Sequence, residues 1–101
     1  MRLTAQQQAT VRATVAETFG SEATVRLFGS RVDDTKRGGD IDLLISTTQS
    51  DVATLMRAEI ALLTKLQMKL GEQKIDVLLD YPSRKVRPPI FNIALQTGIL
   101  L

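Results

Sequence analysis

The sequence predicts an α/β (α+β) fold, a three-stranded mixed β-sheet flanked by helices. Three observations lead there. Short aliphatic runs at 24–28, 40–45 and 74–79 are bounded by glycine and polar turn residues, as strands are. The segments between and around them repeat apolar residues every three or four positions, as amphipathic helices do. The connections differ in length: about ten residues join the first two strands, which suits an antiparallel pair, whereas a long helical crossover joins the last two, which suits a parallel pair with a right-handed connection.

Each element follows in order. Residues 4–19 read as a helix: Thr4 supplies an N-cap, Val11, Val15 and Phe19 form one stripe, and Gly20 follows the last turn. Thr24-Val25-Arg26-Leu27-Phe28 is a strand that stops at Gly29-Ser30, and a polar loop then runs to Gly38-Gly39. Asp40-Ile41-Asp42-Leu43-Leu44-Ile45 is the second strand. Ser50 or Asp51 caps a long helix reaching Leu70, with Val52, Leu55, Met56, Ile60, Leu63, Leu66 and Leu70 as its buried face and Gly71 beyond its end. Lys74 to Leu79 is the third strand, and Asp80-Tyr81-Pro82-Ser83 a turn. After Pro88-Pro89 a last helix starts at Ile90 and ends at Gly98, leaving Ile99-Leu100-Leu101 as an apolar tail tucked against the core.

Composition narrows the chemistry. The 101 residues suit one domain over 1–101, with ordinary hydrophobic (44%) and charged (24%) fractions for a globular chain. There is no cysteine and no histidine, which closes thiolate, Ser-His-Asp and imidazole–metal chemistry. Catalysis has to use carboxylates, Lys/Arg, hydroxyls, backbone groups or a hard cation held by oxygen. A net charge of +2 and four aromatic residues give little support for a nucleic-acid stacking platform. No apolar run approaches the ~20 residues of a membrane span and the start does not resemble a signal peptide, so the chain reads as cytoplasmic.

Most of the eleven acidic residues fall on helix flanks, caps and turns, where solvated surface is their ordinary role. Asp40, Asp42 and Asp76 stand apart. Strand alternation puts Asp40, Asp42 and Leu44 on one face, and Asp76 and Leu78 on one face of the third strand. Ile41-Asp42-Leu43-Leu44 echoes Ile75-Asp76-Val77-Leu78, so parallel pairing on that register makes Asp42 and Asp76 lateral neighbours with Leu44 and Leu78 beside each other beyond them. Carboxylates crowded at the ~4.8 Å strand spacing need a proton or a cation between them. Mg²⁺ takes such hard oxygen ligands and completes its shell with water and phosphate oxygens. An EF-hand begun at Asp33 fails, with Arg37 and Leu44 at ligand positions, and no Walker A loop is present.

Phe28-Gly29-Ser30-Arg31 adds phosphate-binding parts. Glycine allows close backbone approach, and N–H groups, the Ser30 hydroxyl and Arg31 can meet a polyphosphate. Lys36 and Arg37 either join them or sit on a solvated loop. Arg84, Lys85 and Arg87 read as surface charge, with nucleotide or partner contact as the alternative.

Gly29-Ser30, nine intervening residues, then Asp40-Ile41-Asp42 resembles the G-S-x(9–10)-D-x-D signature of the DNA polymerase beta-type nucleotidyltransferase superfamily. The length, and the third carboxylate in Lys74-Ile75-Asp76-Val77-Leu78-Leu79, resemble its minimal nucleotidyltransferase branch. The resemblance implies a minimal nucleotidyltransferase core in which Gly29, Ser30 and Arg31 hold nucleotide phosphates. It implies that Asp40, Asp42 and Asp76 bind two Mg²⁺ ions, and that Asp76 assists deprotonation of an acceptor hydroxyl. The activity implied is transfer of NMP, AMP above all, from an NTP with release of pyrophosphate. The branch also includes antitoxins paired with HEPN-type toxins, which neutralise the partner by contact or adenylylate it. A chain this short is expected to meet its acceptor on another protein or across a homo-oligomer interface.

Overall fold

The computed structural model describes residues 3–29, 41–71 and 73–101. Its order is α1 (Ala5–Phe19), β1 (Thr24–Phe28), β2 (Ile41–Ser46), α2 (Val52–Leu70), β3 (Ile75–Asp80), α3 (Ile90–Thr97) and β4 (Ile99–Leu100). The fold is α/β: among the described residues, three helices and a four-stranded mixed sheet in the order β3-β2-β1-β4, with β2 and β3 as the one parallel pair.

α1 starts on a reciprocal cap. The Gln7 N–H donates to Thr4 Oγ1 (3.0 Å) while the Thr4 N–H donates to Gln7 Oε1 (2.9 Å), satisfying two donors that the first turn would otherwise leave unpaired. Its inner face is Val11, Thr14, Val15 and Phe19. Thr14, absent from the apolar stripe, is fully buried because its hydroxyl donates to Thr10 O (2.7 Å) and accepts from Lys69 Nζ (3.3 Å).

The sheet separates two cores. On one face Val25, Leu27, Ile41, Leu43, Ile45 and Ile75 pack against α1 and α2. On the other, Phe28, Leu44 and the partly buried Leu78 meet Phe91 and Ala94 of α3. Within β2 Ile41, Leu43, Leu44 and Ile45 are buried, and Asp42 and Ser46 are half-buried.

Two expectations are corrected. The sheet has four strands rather than three: Ile99 and Leu100 pair antiparallel with Leu27 and Arg26, and the Leu101 N–H donates to Val25 O (2.9 Å). β1 has an outer edge of backbone donors and acceptors, and the tail satisfies it by pairing rather than by simple burial. The buried face of α2 is also rotated from the expected one and takes in Leu62, which the expected face leaves out. Leu55, Leu62 and Leu66 are buried and Leu63 and Leu70 partly so, whereas Val52, Met56 and Ile60 are 48%, 58% and 66% exposed. The apolar arc of α2 is wider than the strip the sheet covers. α1 packs on the opposite flank, where Lys65 pairs with Glu17 and Lys69 lies 3.6 Å from it.

Candidate functional site

Of the three candidate aspartates, the two within the described residues lie where strand alternation places them. Asp42 and Asp76 are direct Cα partners across the parallel β2–β3 pair, and Leu44 and Leu78 are partners one step beyond. Both side chains share the α3 face of the sheet, at the end where β2 and β3 begin. Asp42 is half-buried and Asp76 exposed. Lys74 shares the same face by alternation, and its carbonyl accepts from the Ile41 N–H (3.0 Å), so the ladder reaches one residue before β3.

β1 runs antiparallel to β2 and delivers its C-terminal end to the same place. Phe28 is the Cα partner of Asp42, and Gly29 follows with φ +77°. That value lies in the left-handed region where a side chain is strained. A Cβ on Gly29 would also overlap the Asp42 carboxylate, which would have to turn aside. The glycine at the strand end is thus explained twice, by its dihedral and by the carboxylate lying against it.

Ser30, Arg31 and Asp40, together with Lys36 and Arg37, lie outside the described residues. Among the described residues no group of three carboxylates is close enough to hold a metal ion. What is described is a carboxylate pair on adjacent strands with a glycine backbone closing in on one of them. One or two carboxylates at lateral strand spacing are a donor set that Mg²⁺ accepts, since it retains water and takes phosphate oxygens for the rest of its octahedron.

The face beyond the aspartates is closed by the stack of Leu44, Leu78, Phe28 and Phe91. Arg84 lies over the Phe91 ring, 4.5 Å from its centroid, and 5.9 Å from that of Tyr81. Its Nε donates to Val86 O (2.8 Å). Arg87 bridges to Asp80 Oδ1 (2.8 Å) and donates to the carbonyls of Arg84 (3.0 Å) and Tyr81 (3.1 Å). These two arginines bind the segment between β3 and α3 to itself and to the sheet. Their spacing in the sequence carries no signal of that role, which depends on carbonyls presented by a non-repetitive turn.

No protein-family model matches the chain, and no curated protein matches it significantly. No helix of the described residues is long and apolar enough to cross a membrane.

Proposed function

We propose that this chain is an Mg²⁺-dependent nucleotidyltransferase with a minimal nucleotidyltransferase core, moving AMP from ATP to an acceptor hydroxyl on a partner protein. The observation that carries this reading is the cross-strand partnership of Asp42 and Asp76 with Gly29 packed on Asp42. In this reading Asp42 and Asp76, with Asp40, hold the cation pair. Bound Mg²⁺ supplies neutralisation of charge on the attacking and leaving oxygens. The exposed Asp76 carboxylate accepts the proton of the incoming hydroxyl. The hydroxyl oxygen bonds to the α-phosphorus, the bond from that phosphorus to the bridging oxygen breaks, and pyrophosphate leaves. Gly29, Ser30 and Arg31 orient the phosphates. Positioning and charge account for the rate, as phosphoryl-type transfer requires.

The second reading is a binding module, an antitoxin that neutralises a HEPN-type toxin by contact. It is favoured by the apolar side chains of α3 that face solvent beside the site: Ile90, Ile93 and Leu95 are 41%, 53% and 43% exposed.

The test compares wild type with Asp42→Asn and Asp76→Asn, using labelled ATP, Mg²⁺ and a HEPN-type protein. Mg²⁺-dependent binding heat and label transfer in the wild type, both lost in the variants, are expected. Equal transfer by wild type and variants overturns the catalytic reading. Neutralisation without transfer, retained by Asp42→Asn, leaves the binding module.

A further inference from the structure

The two edges of the sheet differ. One is closed by β4, only two residues long, whereas the other is the six-residue strand β3. The Lys74 and Asp80 carbonyls accept from the Ile41 and Thr47 N–H groups of the β2 side, each at 3.0 Å. Even-numbered residues of β3 therefore turn their backbone groups inward, and Ile75, Val77 and Leu79 turn theirs outward. Among the described residues, Arg84 Nη1 reaches Leu79 O at 3.4 Å. An aliphatic outer edge of this length is a template for another strand, and short edges are the ones that resist it.

The side of α2 above this edge is apolar too. Val52, Met56 and Ile60 form its solvent-facing stripe, and a cleft of about 370 Å³ separates that helix from β3, lined by Val52, Met56, Glu59, Val77, Leu79 and Tyr81. Helix flank and strand edge make one continuous surface.

We propose that this surface joins two copies of the chain through antiparallel β3–β3 pairing about a two-fold axis perpendicular to the sheet. Such an axis keeps each face on its own side, so direct partners must have the same parity. Charge then selects the register. Centring on Leu78 sets Asp76 opposite Asp80 of the second copy twice, and centring on Asp76 sets it opposite itself. Centring on Val77 sets Lys74 opposite Asp80 of the second copy at both ends, Ile75 opposite Leu79, and Val77 on the axis. Lys74 and Asp80 would then form non-hydrogen-bonded pairs, the kind that brings side chains closest, while Ile75, Val77 and Leu79 exchange the backbone hydrogen bonds. Asp80 accommodates this beside Arg87, since a carboxylate offers about four lone-pair sites. The same axis serves α2, because Met56 and Glu59 line the cleft at the level of Val77–Leu79, so the Met56 and Ile60 stripes of the two copies meet. This proposal does not depend on the nucleotidyltransferase reading.

Sedimentation and light scattering of the full chain test it. The wild type is expected at twice its 11.1 kDa mass, and Met56→Glu with Ile60→Glu, both exposed positions that would oppose like charges across the axis, at the single mass with an unchanged circular dichroism spectrum. Lys74→Asp alone and Asp80→Lys alone should each raise the dimer dissociation constant about tenfold, through like charges opposed at both ends. Mixing these two variants pairs opposite charges at both ends and should restore the dimer. A wild type that stays monomeric at every concentration overturns the proposal, and so does a foreign peptide strand being the edge's only occupant. A dimer indifferent to the helix variant, or a mixture that fails to re-form, overturns this geometry.

Discussion

The backbone of Gly29 lies against the carboxylate of Asp42, so that any side chain at position 29 would occupy the space of that carboxylate. Gly71 also has a positive φ, +84°, but an added Cβ there meets nothing within 4 Å. Alanine at either position takes a positive-φ backbone that side chains rarely adopt, at a cost on the order of 1–3 kcal/mol. Gly29→Ala adds displacement of the Asp42 carboxylate to that cost and Gly71→Ala does not; if the proposed nucleotidyltransferase site is right, Gly29→Ala alone should weaken Mg²⁺-dependent nucleotide binding. Urea unfolding of both variants beside calorimetric titration makes the comparison.

The α2 stripe offers a contrast between neighbours on one helix. Leu62 is fully buried and Ile60 is 66% exposed. Leu62→Ala should cost about 2–5 kcal/mol through lost burial and a cavity. Ile60→Ser should stay within about 0.5 kcal/mol of wild type in the monomer. Comparable losses in the two urea midpoints would mean that the helix is rotated from the orientation described.

α3 is held to the sheet through Phe91 and Ala94, with Arg84 stacked on the Phe91 ring. Phe91→Ala is expected to cost about 3–5 kcal/mol. Hydrogen exchange should show α3 losing protection first, since the opposite core of α1, α2 and the sheet does not contain Phe91.

The capping box of α1 predicts a smaller effect. Thr4→Ala removes the acceptor of the Gln7 N–H and should cost about 0.5–2 kcal/mol by chemical denaturation. Gln7→Ala removes the reciprocal bond to the Thr4 N–H, and the double variant should cost less than the sum of the two.

Two carboxylates should respond to pH with opposite sign. The hydrogen bond from Lys65, then the charges of Lys65 and Lys69, lower Glu17 below its ordinary 4.5. Its stabilising contribution is present above that value and lost as pH falls through the lowered one. Burial raises Glu59 above 4.5. Protonated Glu59 carries no such penalty; the penalty develops as pH rises through the raised value. At neutral pH Glu17→Gln should unfold at lower urea than wild type and Glu59→Gln at higher urea. Both differences should shrink toward acid pH, where the wild-type carboxyls are neutral.

Much of the architecture was legible locally because single residues state it. Thr4, Gly20, Ser50 or Asp51, and Gly71 mark helix ends through local geometry that does not depend on distant partners, and of the two candidates for α2 the N-cap is Asp51. The echo of Ile41-Asp42-Leu43-Leu44 in Ile75-Asp76-Val77-Leu78 was enough to state the parallel register, because a slip by one residue would turn each strand's apolar set to the other face. The partnership of Asp42 with Asp76 followed from it. Ser30 and Arg31, read from the turn after Phe28, and Asp40, read from the start of the second strand, lie outside the described residues.

The absence of cysteine and histidine, the strand faces and the place of the aspartates are thus properties of the sequence alone, since composition and period-two alternation need no knowledge of neighbours. Tertiary structure decided the rest. Apolar positions on α2 span an arc too wide for periodicity to choose from, and α1 and the sheet bury Leu55 and Leu66 together with Leu62, which lies outside the expected face, while leaving Val52, Met56 and Ile60 exposed. Ile99 and Leu100 carry no strand pattern of their own. They become β4 because β1 presents an edge whose hydrogen bonds must be met, and that demand belongs to the assembled sheet.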